Sequence, residues 1–131
     1  MILLDTQAAA WLATKAQRLS LPARRKIEQE GRSRGLAVAS VTLMELAQML
    51  AAGKITPRGT PQSWLRDFLA ESAISSRELT VDIAAVAAHL PPNFPSDPFD
   101  RVIAATAIVE RMPLVTSDAR IQASGVVETI W

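Results

Sequence analysis

The feature that most constrains this chain is an alternation of short β-like runs, the first of them wholly apolar, with helical stretches whose ends carry stop and start signals. The runs are MILL at 1–4, LAVA at 36–39, SSREL at 75–79 (the weakest), PLVT at 113–116 and VVETIW at 126–131. A helical pattern follows the first run. Later helices are predicted over 22–34, opening on Pro22 and stopping near Gly35, and over 41–52, with Ser40 as N-cap and an end before Gly53. Three more are predicted: 61–73 behind Thr60 and Pro61, 81–90 between Thr80 and Pro91–Pro92, and 98–112 from Asp97 and Pro98 to Pro113. Ser, Thr and Asp side chains accept from the free amides of a first turn, Pro has no amide to lose there, and Gly or Pro ends the ladder. Uninterrupted apolar strands are buried on both faces, which a parallel sheet requires. The expected fold is therefore α/β: one three-layer domain with a central parallel sheet of four to five strands, flanked by helices and linked by right-handed crossovers. No repeat, low-complexity tract or linker divides residues 1–131, and PPNFPS at 91–96 reads as a rigid loop feeding the helix at 98.

Composition then narrows the chemistry. With no cysteine there is no disulfide framework, thiolate metal site or cysteine nucleophile. The single histidine, His89, ends DIAAVAAHL, where an imidazole complements the helix dipole, and its reading is structural. Hydrophobic residues make up 49%, enough for a real core and too many for a disordered chain. The N-terminus has no basic leader, Asp5 interrupts its apolar stretch, and no apolar run approaches the ~20 residues of a spanning helix. A soluble, cytoplasmic protein with no membrane partner is expected. Net charge is only +1, yet nine Lys/Arg against four Asp/Glu in residues 1–60 give +5, and five against nine in 61–131 give −4. That asymmetry suits a basic surface beside an acidic pocket, or simply two solvated helix faces.

Ligands of open parallel sheets collect outside the carboxyl ends of the strands. Asp5 directly follows MILL, Asp118 lies two residues past PLVT, Glu45 sits early in the helix after LAVA, and Asp97 and Asp100 open the helix fed by the proline loop. Singly, Asp5, Asp97 and Asp118 are good helix caps and Asp100 suits a helix dipole. Glu45 is harder to explain away: SVTLMELAQML is apolar around it, and no Lys or Arg lies between Gly35 and Gly53. An unpartnered carboxylate there would cost several kcal/mol, on the order of the usual penalty for a buried charge. Clustered carboxylates raise one another's pKa unless a cation joins them, and without thiols that cation is hard: Mg²⁺ or Mn²⁺. Metal-dependent phosphoryl transfer is the chemistry such a cluster serves.

Three segments taken together, LLDTQAAAWL at 3–12, SVTLMELAQML at 40–50 and DPFDRVIAATAIVERMPLVTSDARIQ at 97–122, resemble a PIN-domain protein, and more narrowly a VapC-type toxin of a bacterial type II toxin–antitoxin pair. The order and spacing hold from Ile2 to Trp131, with the DPFDR…AATA…PLVTSD run the most specific part. The resemblance implies a Mg²⁺-dependent ribonuclease, restrained by a VapB-type antitoxin whose tail occupies the active-site groove, and a homodimer. It places the family's acidic quartet on Asp5, Glu45, Asp100 and Asp118, as catalytic residues and metal ligands. Asp97 matches the extra acid of the DPxDR subgroup, as cap, support or ligand. Thr6 and Thr116 match small hydroxyl positions beside the first and last acids, and Arg101 the arginine that pairs with an acid or with RNA phosphate. Gln7 departs from the histidine many relatives carry there, without removing a quartet acid. The implied reaction is hydrolysis of an RNA phosphodiester by a metal-activated water, leaving 5′-phosphate and 3′-hydroxyl.

Lys15, Arg18, Arg24, Arg25, Lys26, Arg32 and Arg34 could grip the RNA backbone, or form a solvated face with Glu28 and Glu30 interleaved. Six aromatics do not support a base-stacking platform. Trp11, Trp64 and Phe68 read as core or interface, and the helices at 41–52 and 61–73, with Met44 and Met49, as core or as a groove for a partner helix. A phosphoacceptor receiver domain would need a lysine late in the chain, and none follows Lys54. A haloacid-dehalogenase-like phosphatase would need an aspartate at position 7, where Gln7 stands. The rival from another class is a catalytically silent PIN-like module acting through a protein partner or RNA.

Overall fold

All five β-like runs contribute strands to one parallel sheet in the computed structural model, which describes residues 1–131. The strands are β1 (Ile2–Leu4), β2 (Leu36–Ala39), β3 (Ile74–Arg77), β4 (Leu114–Val115) and β5 (Thr129–Ile130), in the order β3-β2-β1-β4-β5. Each neighbour is parallel: Leu4 pairs with Val38 on one side and Val115 on the other. Chain order reverses direction at β1, which opens a crevice beside its carboxyl end.

Seven helices cover the sheet: α1 (Thr6–Thr14), α2 (Leu21–Arg32), α3 (Ser40–Ala51), α4 (Pro61–Glu71), α5 (Val81–Ala88), α6 (Pro98–Glu110) and α7 (Ala119–Ser124). The period of two along each strand decides which face a side chain serves. Ile2, Leu4, Leu36, Val38, Ile74 and Val115 join one core with Ala8, Ile27, Leu46, Leu50 and Phe68 of α1 to α4. Leu3, Ala37, Ala39 and Leu114 face the other way, against Ile103, Ala104 and Ala107 of α6 and Ile121 of α7. This is the three-layer arrangement expected. Leu3 and Leu4 have no exposed surface, and truncating either to alanine costs about 2–5 kcal/mol.

The capping signals act as anticipated in α4, where Thr60 and Ser63 form a capping box, and in α5 and α6 under Thr80 and Asp97, while α2 opens ahead of Pro22 on Ser20, which accepts from Ala23. One does not. Ser40 lies inside α3, and the cap position falls on Ala39, which has no side chain to offer. β2 runs into α3 without a connecting residue, so the last extended residue of the strand is also the cap. α2 ends at Arg32, α4 at Glu71, α5 at Ala88 and α6 at Glu110, each two residues short of expectation. In α6 the cause is Arg111, whose left-handed φ of 57° turns the chain while its amide reaches Ala107 O and Ile108 O. VVETIW yields only Thr129–Ile130, because Val126 and Val127 are drawn into the core beneath the sheet instead. No helix is long and apolar enough to cross a membrane.

Candidate active site

The carboxyl ends of β1 and β4, the first turn of α1, the second half of α3 and the N-terminus of α6 meet around a cavity of about 600 Å³. Asp5, Glu45, Asp100 and Asp118 all line it, with Thr6, Gln7, Gln48, Lys54 and Ser117 among the other polar residues. Four segments far apart in sequence thus converge their acids on the crevice at β1.

Asp5 is the most deeply set, 9% exposed. Its amide donates to Val115 O at 3.1 Å, tying it to β4, and its Oδ1 accepts from Ala8 N at 2.8 Å as the N-cap of α1. Burial pushes its carboxyl up to about 6; the Thr116 hydroxyl and Ala8 amide oppose that rise, and the charges of Asp118 and Glu45 add to it. Asp100 is also raised to about 6, first by burial and then by Asp97, Glu45, Asp118 and Asp5.

Glu45 avoids the isolation feared for it. Thr6 Oγ1 donates to its Oε1 at 2.5 Å, and the same hydroxyl lies 3.1 Å from Oγ1 of the fully buried Thr42. Burial raises its pKa, the Thr6 bond lowers it, and Asp97 raises it again, for a net rise. Asp118 differs. Burial works to raise it, but the Arg120 guanidinium at 3.2 Å and the amides of Arg120 and Ile121 prevail, and its pKa is lowered. It caps α7 through those amides and is braced by Thr116 Oγ1, which accepts from the Asp118 amide at 3.1 Å.

Asp97 stands outside the cavity lining. It caps α6, accepting from Phe99 N at 2.8 Å and Asp100 N at 3.1 Å, and acts on the site through its charge on Asp100 and Glu45. Arg101 corrects the expectation that its guanidinium meets an acid or stands ready for phosphate. It donates to three backbone carbonyls, Ala87 O at 3.0 Å, Leu90 O at 3.2 Å and Pro95 O at 3.4 Å. α5 ends and the proline loop begins there, leaving carbonyls without helical partners, and Arg101 satisfies them. His89 is exposed, with Nδ1 2.9 Å from Ala85 O, in keeping with its structural reading.

Thr42, Gln48, Ser117 and Lys54 were not anticipated. Thr42, Glu45 and Gln48 recur every three residues and so share one face of α3, a periodicity that would have found the first two companions of Glu45. Ser117 needed only its place between Thr116 and Asp118. Lys54 carried no such signal, since it follows the end of α3.

No three of these acids stand close enough to hold an ion unaided. The donors nonetheless fit a hard divalent cation. They are all oxygen, three of them (Asp5, Glu45 and Asp100) are pushed toward protonation by burial and neighbouring charge, and Lys54 is the one cation on the wall. Such ions commonly take one or two carboxylates and keep their waters, so Asp5 and Asp100, with Glu45 and Asp118 beside them, suffice in kind.

A family model described as "PIN domain" matches residues 2–125. The chain is 40% identical over 121 residues to Ribonuclease VapC22 of Mycobacterium tuberculosis, covering 92% of this chain and 89% of that one. Its fold is similar to VapBC2 from Rickettsia felis bound to a DNA fragment from its promoter, at a TM-score of 0.73 and 19% identity, covering 98% and 97% of the two chains. DNA-bound VapBC from Salmonella typhimurium gives 0.71 at 17% identity, with the same coverage. VapBC-5 from Mycobacterium tuberculosis gives 0.61 at 22%, covering 98% and 96%.

Proposed function

The chain belongs to the PIN-domain family, and on that premise we propose that it is a metal-dependent endoribonuclease, the toxin of a type II toxin–antitoxin pair, with residues 1–131 forming its single PIN domain. The observation that carries this reading is the convergence of Asp5, Glu45, Asp100 and Asp118 on one cavity. The 40% identical relative, named as a ribonuclease, supports it. The ion is Mg²⁺, with Mn²⁺ able to substitute, since both favour oxygen donors. The working compartment is the cytoplasm, where RNA is found, and a chain without cysteine suits it. A VapB-type antitoxin is the controlling partner, a reading supported by the VapBC structures this fold is similar to, and a homodimer is the working assembly.

What the ion supplies when bound is a lowered pKa for water and neutralisation of charge on the phosphate. Asp5 and Asp100 hold it: their raised pKa values mark them as carboxylates that gain most from a cation. Glu45 acts on the nucleophile. Thr6 fixes Oε1 and so leaves Oε2 to orient a water and accept its proton, a task its raised pKa favours. Asp118, kept ionised by Arg120 and aimed by its cap bonds, completes the negative wall. Thr116 braces Asp5 and Asp118 together, and Asp97 sets the turn that presents Asp100.

The test is cleavage of a structured-RNA pool by antitoxin-free protein and by Asp100→Asn, each in Mg²⁺ and in EDTA. Cleavage by the native chain alone, abolished by EDTA, is expected. Equal cleavage by both chains, or none by either, would sink the assignment.

A further inference from the structure

We propose that Lys54 is a substrate-binding residue that grips the RNA backbone at the rim of the acidic cavity, where the strand passes into the adjoining groove between α1 and α4. The inference rests on the ribonuclease reading and deepens it. Four carboxylates repel an approaching phosphodiester, and a divalent ion offsets only half of their charge. A cation at the rim is what lets a polyanion enter. Lys54 is the one cation on that wall, it is exposed, and none of the protein's four ion pairs uses it.

Its backbone is fixed rather than loose. α3 closes through Gly53 at a φ of +74°, a left-handed value that suits glycine, and the Lys54 amide returns to Met49 O at 2.9 Å. The next residue, Ile55, is 5% exposed and anchored in the core. The ammonium therefore stands on a held stem at the end of the helix that carries Glu45.

The second observation is that Lys54 also lines a neighbouring groove of about 780 Å³. There the balance of charge reverses. Lys15, Lys54 and Arg58 face Asp67 and Glu71, three cations to two acids, against one to four in the first cavity. Trp64, packed against the core and stacked on Phe68 with ring centroids 5.6 Å apart, lines the apolar side of that groove. A strand cut among the carboxylates thus finds phosphate contacts in one direction, and Lys54 is the joint between the two cavities.

The experiment measures binding of a short, labelled single-stranded oligoribonucleotide to antitoxin-free protein across a range of KCl. Asp100→Asn is the uncleaving background, and kcat and KM are measured in the otherwise native chain. The variants are Lys54→Met, Lys54→Arg, Arg58→Gln and, as a control beside Met1 at the amino-terminal end of the strands, Arg111→Asn. Each lost phosphate contact flattens the log–log salt slope by about 0.7 and weakens binding roughly 5- to 10-fold. Lys54→Met and Arg58→Gln show this, Lys54→Arg recovers most of it, Arg111→Asn does not change, and Lys54→Met raises KM more than it lowers kcat. Unaltered slopes in Lys54→Met and Arg58→Gln, with the native chain still cleaving RNA, overturn the strand path and leave the ribonuclease reading intact. The same holds if those variants lose only antitoxin binding, which would assign the groove to the protein partner. A native chain that neither binds nor cleaves RNA in Mg²⁺ overturns both.

Discussion

Asp5→Asn is expected to make the metal-free protein more stable at neutral pH while abolishing its activity. The ordinary value for the Asp5 carboxyl is 3.8, and the fold raises it to about 6. At 1.36 kcal/mol per unit, keeping that carboxylate ionised in the folded state costs about 3 kcal/mol. The sign follows from the protons. Below the unfolded value both states are protonated and the cost is absent. Between 3.8 and about 6 only the unfolded chain releases its proton, so stability falls as pH rises, and above about 6 the full cost remains. Asparagine carries no charge at any pH and still caps α1, because its carbonyl can accept from Ala8 N. Urea unfolding in EDTA from about pH 4 to 7 should therefore give an Asn-minus-native difference near zero at the acid end, growing to about 2–3 kcal/mol at neutrality. For a chain of this size that is a Tm gain of about 10 °C. The difference between the two chains cancels groups that do not act on Asp5, such as Glu30, whose lowered pKa shifts both profiles alike. Asp5 is the better test than Asp100, whose half-exposed carboxyl is screened by water and yields less. A difference that is flat with pH, or a less stable variant at pH 7, would refute the argument that burial and neighbouring charge load this site.

Three other outcomes follow from the same geometry. Mn²⁺ at about 100 times its Kd should stabilise the native protein by about 2.7 kcal/mol, read as a rise in Tm, and do so far less in Asp100→Asn; no rise at any millimolar concentration would argue against an ion among these acids. Arg101→Gln should cost about 3 kcal/mol in urea unfolding, since three carbonyls lose a charged donor, with activity per folded molecule kept; lost cleavage at unchanged stability would restore the arginine to the RNA. Thr6→Val removes the donor on Glu45, so the acid limb of the pH–rate profile should move to higher pH, and Thr6→Ser should bring it back; an unmoved limb would exclude Glu45 as the titrating base.

Much of the frame was legible in the chain because its signals are local. The runs at 1–4 and 36–39 are apolar throughout, as is the Leu114–Val115 pair, and only a strand buried on both faces needs that. Asp97, Thr60 and Thr80 cap the helices that follow them, since a cap acts within three residues of itself. Ser40 misled for the same reason: its type suits a cap, but the length of β2 carries the strand into the helix and puts Ala39 in that place. The four quartet acids share one cavity as the motif implied.

What the sequence by itself determined, then, is the set of elements and the chemistry available to them: no thiol, one histidine at a helix end, and acids following the strands. What only the tertiary structure decided is how those groups divide the work. Asp5 and Asp118 are both helix caps in cavity walls, yet one carboxyl is raised and the other lowered, because Arg120 reaches the second and the core encloses the first. Arg101 sits beside Asp100 in sequence and turns away to carbonyls 6 to 14 residues distant. Lys54, unremarkable in the chain, becomes the cation of an acidic cavity. Strand pairing across β1 and β4 and the closing turn of α3 bring these groups together. Charge and hydrogen bonding act over a few ångströms of space, whatever the separation along the chain.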